Sequence, residues 1–166
     1  DPYLFPYPLG KVYEVTLMVT QLKTKTLYEQ DFCLWAETMA DLLKNRQVDQ
    51  LDLQNLIQEI ETMGRSLKKS LQSNLEVLLT HLLKWKYQTH KRSTSWEISV
   101  REHRRRILEQ FQESPSLKRY FDLVFEQAYE QARKQASIET SLNITTFPVS
   151  NPFPKEKILE KDFLPE

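Results

Sequence analysis

The chain has 166 residues, equal numbers of acidic and basic side chains, and only two glycines and one cysteine. A chain of this length typically buries about 70% of the surface that it exposes when unfolded, so we expect a substantial core. So few glycines argue against glycine-rich phosphate loops, and a single cysteine excludes an intramolecular disulfide and any multi-cysteine metal site. The composition therefore predicts long helices, no cofactor and a reducing cytoplasm.

The N-terminal residues do not resemble the rest of the chain. Prolines at positions 2, 6 and 8 fix the backbone and remove hydrogen-bond donors, so a long helix cannot begin there. Met18 is a plausible native start, which would leave residues 1–17 outside the native protein. We therefore expect residues 1–25 to form an extension and residues 26–165 to form one domain.

Two predicted helices follow. A capping box at Thr26 to Glu29 predicts a helix over about 27–46. Asp52 is a suitable N-cap for the next helix, in which apolar residues recur at helical spacing from Leu53 to Trp85. Gly64 lies on this apolar stripe, and we expect it to break or kink the helix.

Two further helices and a tail complete the prediction. Ser93 to Ser95 can cap the third helix, and Ser114 with Pro115 can begin a fourth that ends near Thr140. The remaining apolar tail is expected to dock on the helices and to include a short helix near 155–161. No segment alternates with period two, so the predicted class is all-α, a single-domain bundle of about four main helices.

Five blocks of the chain carry a family resemblance. They are "YEQDFCLWAETMADLLKNRQVDQLDLQNLIQEIETMGRS", "LLTHLLKWKYQ", "SWEISVREHRRRI", "SPSL" and "EKDFLP". In this order they resemble the bacterial "domain of unknown function 29" family over about residues 26–165. The resemblance implies a small all-helical protein and leaves the biochemical role open.

A candidate polar cluster comes from the periodicity of the third helix. The helical positions place Arg104 on or beside its buried face, and a buried guanidinium needs a partner. We expect Glu59 or Glu61 to pair with Arg101 or Arg104, either as a fixed ion-pair network or as a functional site. The remaining alternative is that these side chains face solvent. His81 joins this cluster, as a neutral side chain held by a tyrosine hydroxyl or a backbone carbonyl, or as a general base.

Signatures of catalysis are weak. The three histidines and their neighbouring carboxylates lack the spacing of metal ligands, so we expect no metal site. Cys33 lies between apolar residues close to Asp31, a setting that favours a packed, unreactive thiol. We therefore assign no catalytic residue, and an enzyme with a His, Arg and Glu site is the third alternative.

A candidate basic patch is the remaining lead. Residues 81–106 carry eight Lys or Arg and two Glu, whereas residues 29–61 carry eight carboxylates and two basic side chains. The positions expected to be exposed are Lys84, Lys86, Lys91, Arg92, Arg105 and Arg106. Such a patch could bind nucleic acid, although a net charge of zero argues against a general polyanion binder. We favour binding to an unknown protein partner or self-association, with nucleic acid as the alternative and no membrane binding.

Overall fold

The computed structural model describes residues 9–166, with the side chains of residues 9–13, 15, 21, 22 and 25 left out of the description. Within this part the protein is all-α, as predicted, and has no strand. The α-helices are α1 (Leu9–Gln30), α2 (Phe32–Lys44), α3 (Leu53–Tyr87), α4 (Thr94–Glu113), α5 (Leu117–Thr140) and α6 (Lys155–Ile158). None of the helices in this part is both long and apolar enough to cross a membrane.

The chain divides into two compact units. The first unit is Asp1–Met63, described from residue 9 onward, and the second unit is Gly64–Glu166. The first contains α1, α2 and the start of α3, and the second contains the remainder of α3 with α4, α5 and the tail. The expected domain boundary near residue 26 stays a prediction. The proline-rich residues 1–8 lie outside the described residues.

The first predicted helix boundary is wrong. Thr26 lies inside α1, and Asp31 separates α1 from α2. Asp31 has extended backbone angles, and its carboxylate accepts a hydrogen bond from the Leu34 N–H at 3.0 Å, so it is the N-cap of α2. No proline follows Pro8 in this region, so nothing in the sequence stops α1 before Asp31.

The expected break at Gly64 is also wrong, because α3 is one continuous helix of 35 residues. Gly64 does not have a positive φ. A glycine in a helix interior costs only about 1 kcal/mol relative to alanine. Good helix formers on both sides can offset that cost, and Ser66 therefore lies within the helix instead of capping a new one.

The second unit contains the main hydrophobic core. Its buried residues come from α3, α4, α5 and the C-terminal tail, which is the chain after α5 (residues 141–166). They include Leu79, Ile107 and Phe125, each fully buried. Phe147, Phe153 and Ile158 of the tail pack into the same cluster, so the predicted docking of the tail is confirmed. α5 begins at Leu117, slightly later than the sequence suggested.

Candidate functional site

Arg104 fastens the tail to α4 inside the second unit. Its side chain is 3% exposed, as the helical periodicity predicted. The guanidinium donates hydrogen bonds to three backbone carbonyls of the tail, those of Ile158 and Lys161 at 2.8 Å and that of Phe163 at 2.7 Å. Burial lowers the pKa of Arg104 from its ordinary value, and the nearby Asp162 opposes that shift. All three guanidinium nitrogens of Arg104 therefore donate to the tail, which is a structural role.

The expected pairing of Glu59 or Glu61 with Arg101 or Arg104 stays a prediction, and three of these residues have other contacts within their own units. Arg101 is exposed and bonds to Glu97 one turn earlier, at 2.8 Å. In the first unit, Glu59 accepts a hydrogen bond from the Tyr28 hydroxyl at 2.5 Å. Glu61 is exposed and lies in the first unit as well. The sequence could identify Arg104 as a residue that needs a partner. It could not show that backbone carbonyls accept its hydrogen bonds.

His81 lines a groove of about 280 Å³ in the second unit, together with Glu76, Thr80 and Glu139. Its Nδ1 lies 2.9 Å from the Val77 carbonyl, which matches the expectation of a histidine held by a backbone carbonyl. A proton on Nδ1 would satisfy that bond, so the neutral ring fits the site. Burial lowers the pKa of His81, which also favours the neutral form.

Acidic neighbours pair with three of the six residues of the basic patch. Lys84 was expected to be exposed but is 6% exposed, because it packs over the Trp96 ring and pairs with Glu139 at 2.6 Å. Arg105 and Arg106 are exposed, but both bond to Glu102. These contacts hold the pKa of the Glu102 carboxyl at about 2, well below its ordinary value.

The other three residues of the patch lie near the end of α3. Lys86 donates to the backbone carbonyl of Glu166 at 3.3 Å. Arg92 stacks on the Trp85 ring and donates to the Trp85 carbonyl at 2.8 Å, and Lys91 is exposed. The exposed positive charge is therefore smaller than the sequence suggested.

A buried polar network organises the first unit. Asp52, which is 7% exposed, accepts hydrogen bonds from the Trp35 indole N–H at 3.3 Å and the Asn55 side-chain amide at 2.7 Å. Its other oxygen accepts from the Asn55 backbone N–H at 3.4 Å, which confirms Asp52 as the N-cap of α3. The tryptophan partner was missed, since nothing in the sequence pairs positions 35 and 52.

A row of exposed apolar side chains on α3 was also missed. Leu53, Ile57 and Ile60, all in the first unit, share one helical face and are 53%, 56% and 66% exposed. We call these three residues the α3 stripe. The sequence pattern alone cannot identify this row as exposed, because buried faces and docking faces have the same helical periodicity.

The described side chains offer no metal site, since no group of three or more His, Cys, Asp or Glu among them could hold an ion. Cys33 is exposed, contrary to the packed position expected for it. The reason is its place on α2, where Trp35 and Met39 occupy the buried face.

Two half-buried histidines predict how stability depends on pH. Burial lowers the pKa of both His81 and His103 from the ordinary 6.5. As the pH falls below about 6.5, the unfolded chain takes up protons before the folded chain does, so the free energy of unfolding should decrease. Urea denaturation between pH 7 and pH 5.5 should show this decrease. Replacing both residues with glutamine should remove most of the slope, whereas the exposed His90→Gln control should leave it unchanged. If the unfolding free energy of the double variant depended on pH as steeply as that of the original chain, the two histidines would not be the cause of the decrease.

These observations define an all-α protein whose second unit has a tail fastened by a buried arginine. The chain belongs to the family described as Domain of unknown function DUF29, whose model matches residues 27–164. The resemblance carried by the five sequence blocks is thereby confirmed. No curated protein and no solved structure matches the chain.

Proposed function

We propose that this protein acts by binding protein through the exposed apolar surface of its first unit. One contrast supports the proposal. The described part of the first unit buries three large apolar residues, Trp35, Met39 and Leu51, and leaves ten exposed. The second unit buries twenty apolar residues and leaves six large ones exposed. Contiguous exposed apolar patches commonly mark protein-binding surfaces.

The α3 stripe is the best candidate for the centre of this surface. Its residues repeat at intervals of four and three, which is the spacing of a helix face that packs against another helix. Exposed Met63 on α3 lies beside the stripe. A partner helix would therefore find a continuous row of apolar side chains without any rearrangement of the backbone.

The two alternatives have less support. Nucleic-acid binding would require free positive charge, but Lys84, Arg105 and Arg106 already contact carboxylates. An enzyme with a His, Arg and Glu site would need these groups to be available for a substrate, whereas Arg104 is occupied by the tail. The arrangement thus supports binding over chemistry. The single cysteine supports a reducing cytoplasm as the location.

Site-specific photo-crosslinking tests the proposal. A photoreactive phenylalanine in place of Ile57, in the full chain expressed in its native cells, should form protein adducts. The matched control carries the same group at Leu123 of α5, which is 72% exposed and belongs to the second unit. Adducts at position 57 well above those at position 123 are expected. The proposal would be overturned if position 57 formed no adducts, or no more adducts than position 123.

A further inference from the structure

We propose that a groove between α4 and the tail binds a small organic anion with an aliphatic body, of which a fatty acid is the simplest example. The groove has a volume of about 490 Å³, within the range of about 300–1,000 Å³ that is usual for ligand sites. Its lining comes from α4 and from Lys161 of the tail, so it lies entirely in the second unit. The proposed protein-binding surface belongs to the first unit, so the two proposals are independent.

Basic side chains dominate the lining of the groove. Four of its seven lining residues are basic and one is acidic, namely Arg101, Arg104, Arg105, Lys161 and Glu109. Glu97 and Glu102, which also pair with these arginines, do not line it. The charges that face a ligand in the groove are therefore mainly positive, which favours an anion.

The buried charge of Arg104 lies at the edge of this groove. Its guanidinium is bonded to three neutral carbonyls and to no carboxylate. Carbonyl oxygens accept its hydrogen bonds but do not neutralise a full positive charge, which is costly in a buried position. Burial accordingly lowers the pKa of Arg104, and Asp162 opposes this shift from an exposed position that does not line the groove. An anion in the groove would stabilise this charge through space, without displacing the tail.

The groove has a basic end and an apolar wall. Arg101, Arg104 and Lys161 also line a small recess beside it, so they share one end. Leu108 is 39% exposed and lies seven residues after Arg101, about 10 Å further along α4. Most of the lining surface is apolar, since the methylene stems of Arg and Lys side chains contribute to it. This arrangement fits a charged head at the basic end and an aliphatic chain that extends toward Leu108.

One negative charge matches the cations that remain for a ligand. Arg101 and Arg105 already contact carboxylates. The Lys161 ammonium makes no ion pair within the described part of the chain, so it is left to contact the anion directly. We therefore expect a carboxylate, which carries one charge, in preference to a phosphate, which carries about −1.5 to −2.

Titration of the full chain with octanoate, followed by the amide shifts in nuclear magnetic resonance spectra, tests the site. Octanoate should bind saturably with a dissociation constant of about 1 mM or lower, as expected for a ligand of this size. The shifts should be largest at Arg105, Leu108 and Lys161, which line the groove. The proposal would be overturned if octanoate did not saturate the shifts, or if they were largest outside the groove.

Three further probes separate the charge from the chain. Octylamine reverses the charge of octanoate, 1-octanol removes it, and acetate keeps the charge without the aliphatic body. Each should bind at least about tenfold more weakly than octanoate, because the site requires both features. If 1-octanol or octylamine bound as tightly as octanoate, the basic residues would have no role. If acetate did so, the apolar wall would have none, and either result would refute the proposed ligand class.

Matched substitutions locate the binding residues. Lys161→Gln and Leu108→Asn should each weaken octanoate binding at least about fivefold, since one removes the cation that contacts the carboxylate and the other removes the apolar wall. The controls are Lys157→Gln in the tail and Leu123→Asn on α5, which are exposed and do not line the groove. Both should bind octanoate within about twofold of the original chain. Equal weakening by a variant and its control would overturn the proposal. The four positions are at least partly exposed, so circular dichroism should show unchanged helix content in each variant.

Discussion

Arg104→Ala is expected to lower the free energy of unfolding of the second unit by about 3–5 kcal/mol. The guanidinium is buried and donates to the carbonyls of Ile158, Lys161 and Phe163. Removing it leaves these carbonyls without their donor and leaves a cavity between α4 and the tail. Each hydrogen bond to a charged group contributes about 1.5–3 kcal/mol, so the three together make this one of the most sensitive positions in the unit.

Urea denaturation measures the loss, and limited trypsin digestion locates it. Cleavage at Lys155, Lys157 and Lys161 should accelerate in Arg104→Ala, because the tail is released before the rest of the unit unfolds. Arg101→Ala is the matched control on the same helix. Its side chain is 59% exposed and pairs with Glu97, so the substitution should cost less than about 0.5 kcal/mol.

The substitution Arg104→Lys separates charge from geometry. Lysine keeps the positive charge but lacks the planar fork that reaches three carbonyls at once. An intermediate loss of stability is therefore expected, with tail cleavage faster than in the original chain. If Arg104→Lys behaved like the original, charge alone would hold the tail and the three hydrogen bonds would contribute little.

Arg104 illustrates what the sequence could and could not predict. Helical spacing placed it on the buried face of α4, because a period of 3.6 determines which residues face inward. Its partners lie 54 to 59 residues further along, in a tail with no regular pattern. They are also backbone carbonyls, which every residue carries, so no residue type could have revealed them.

The helix boundaries also show that local signals can be predicted from the sequence, whereas effects of the surrounding structure cannot. Asp52 and Ser93 were predicted as caps and are caps, because a short polar side chain before an apolar run is a local signal. Gly64 was predicted to break α3 and does not. A glycine changes local stability by about 1 kcal/mol, which the rest of a long helix can outweigh.

The α3 stripe could be found from the sequence but not interpreted from it. Leu53, Ile57 and Ile60 have the same spacing as Leu71, Leu75 and Leu78, yet the first three are exposed and the last three are fully buried. Periodicity shows that a face is apolar, and only the surrounding structure shows whether the chain itself covers it.

Asp52→Ala is expected to destabilise the first unit by about 2–4 kcal/mol while leaving the second unit folded. The substitution removes the N-cap of α3, which contributes about 1 kcal/mol. It also removes the acceptor of the Trp35 indole and the Asn55 amide, and each buried donor left unpaired costs about 1–3 kcal/mol. The first unit buries few large apolar residues, so we expect its free energy of unfolding to be small.

Amide hydrogen exchange distinguishes this local effect from a global one. The amides of α2 and the first turns of α3 should lose protection in Asp52→Ala, whereas those of α5 should not change. The matched control is Asp41→Ala, which removes a carboxylate that is 70% exposed and pairs with Lys44, so hydrogen exchange in this variant should be close to that of the original chain. Asp52→Asn keeps one acceptor oxygen for Trp35 and should lie between the two. Equal loss of protection in α2 and α5 would show that the two units unfold together, and no loss in either would show that the Asp52 hydrogen bonds contribute little.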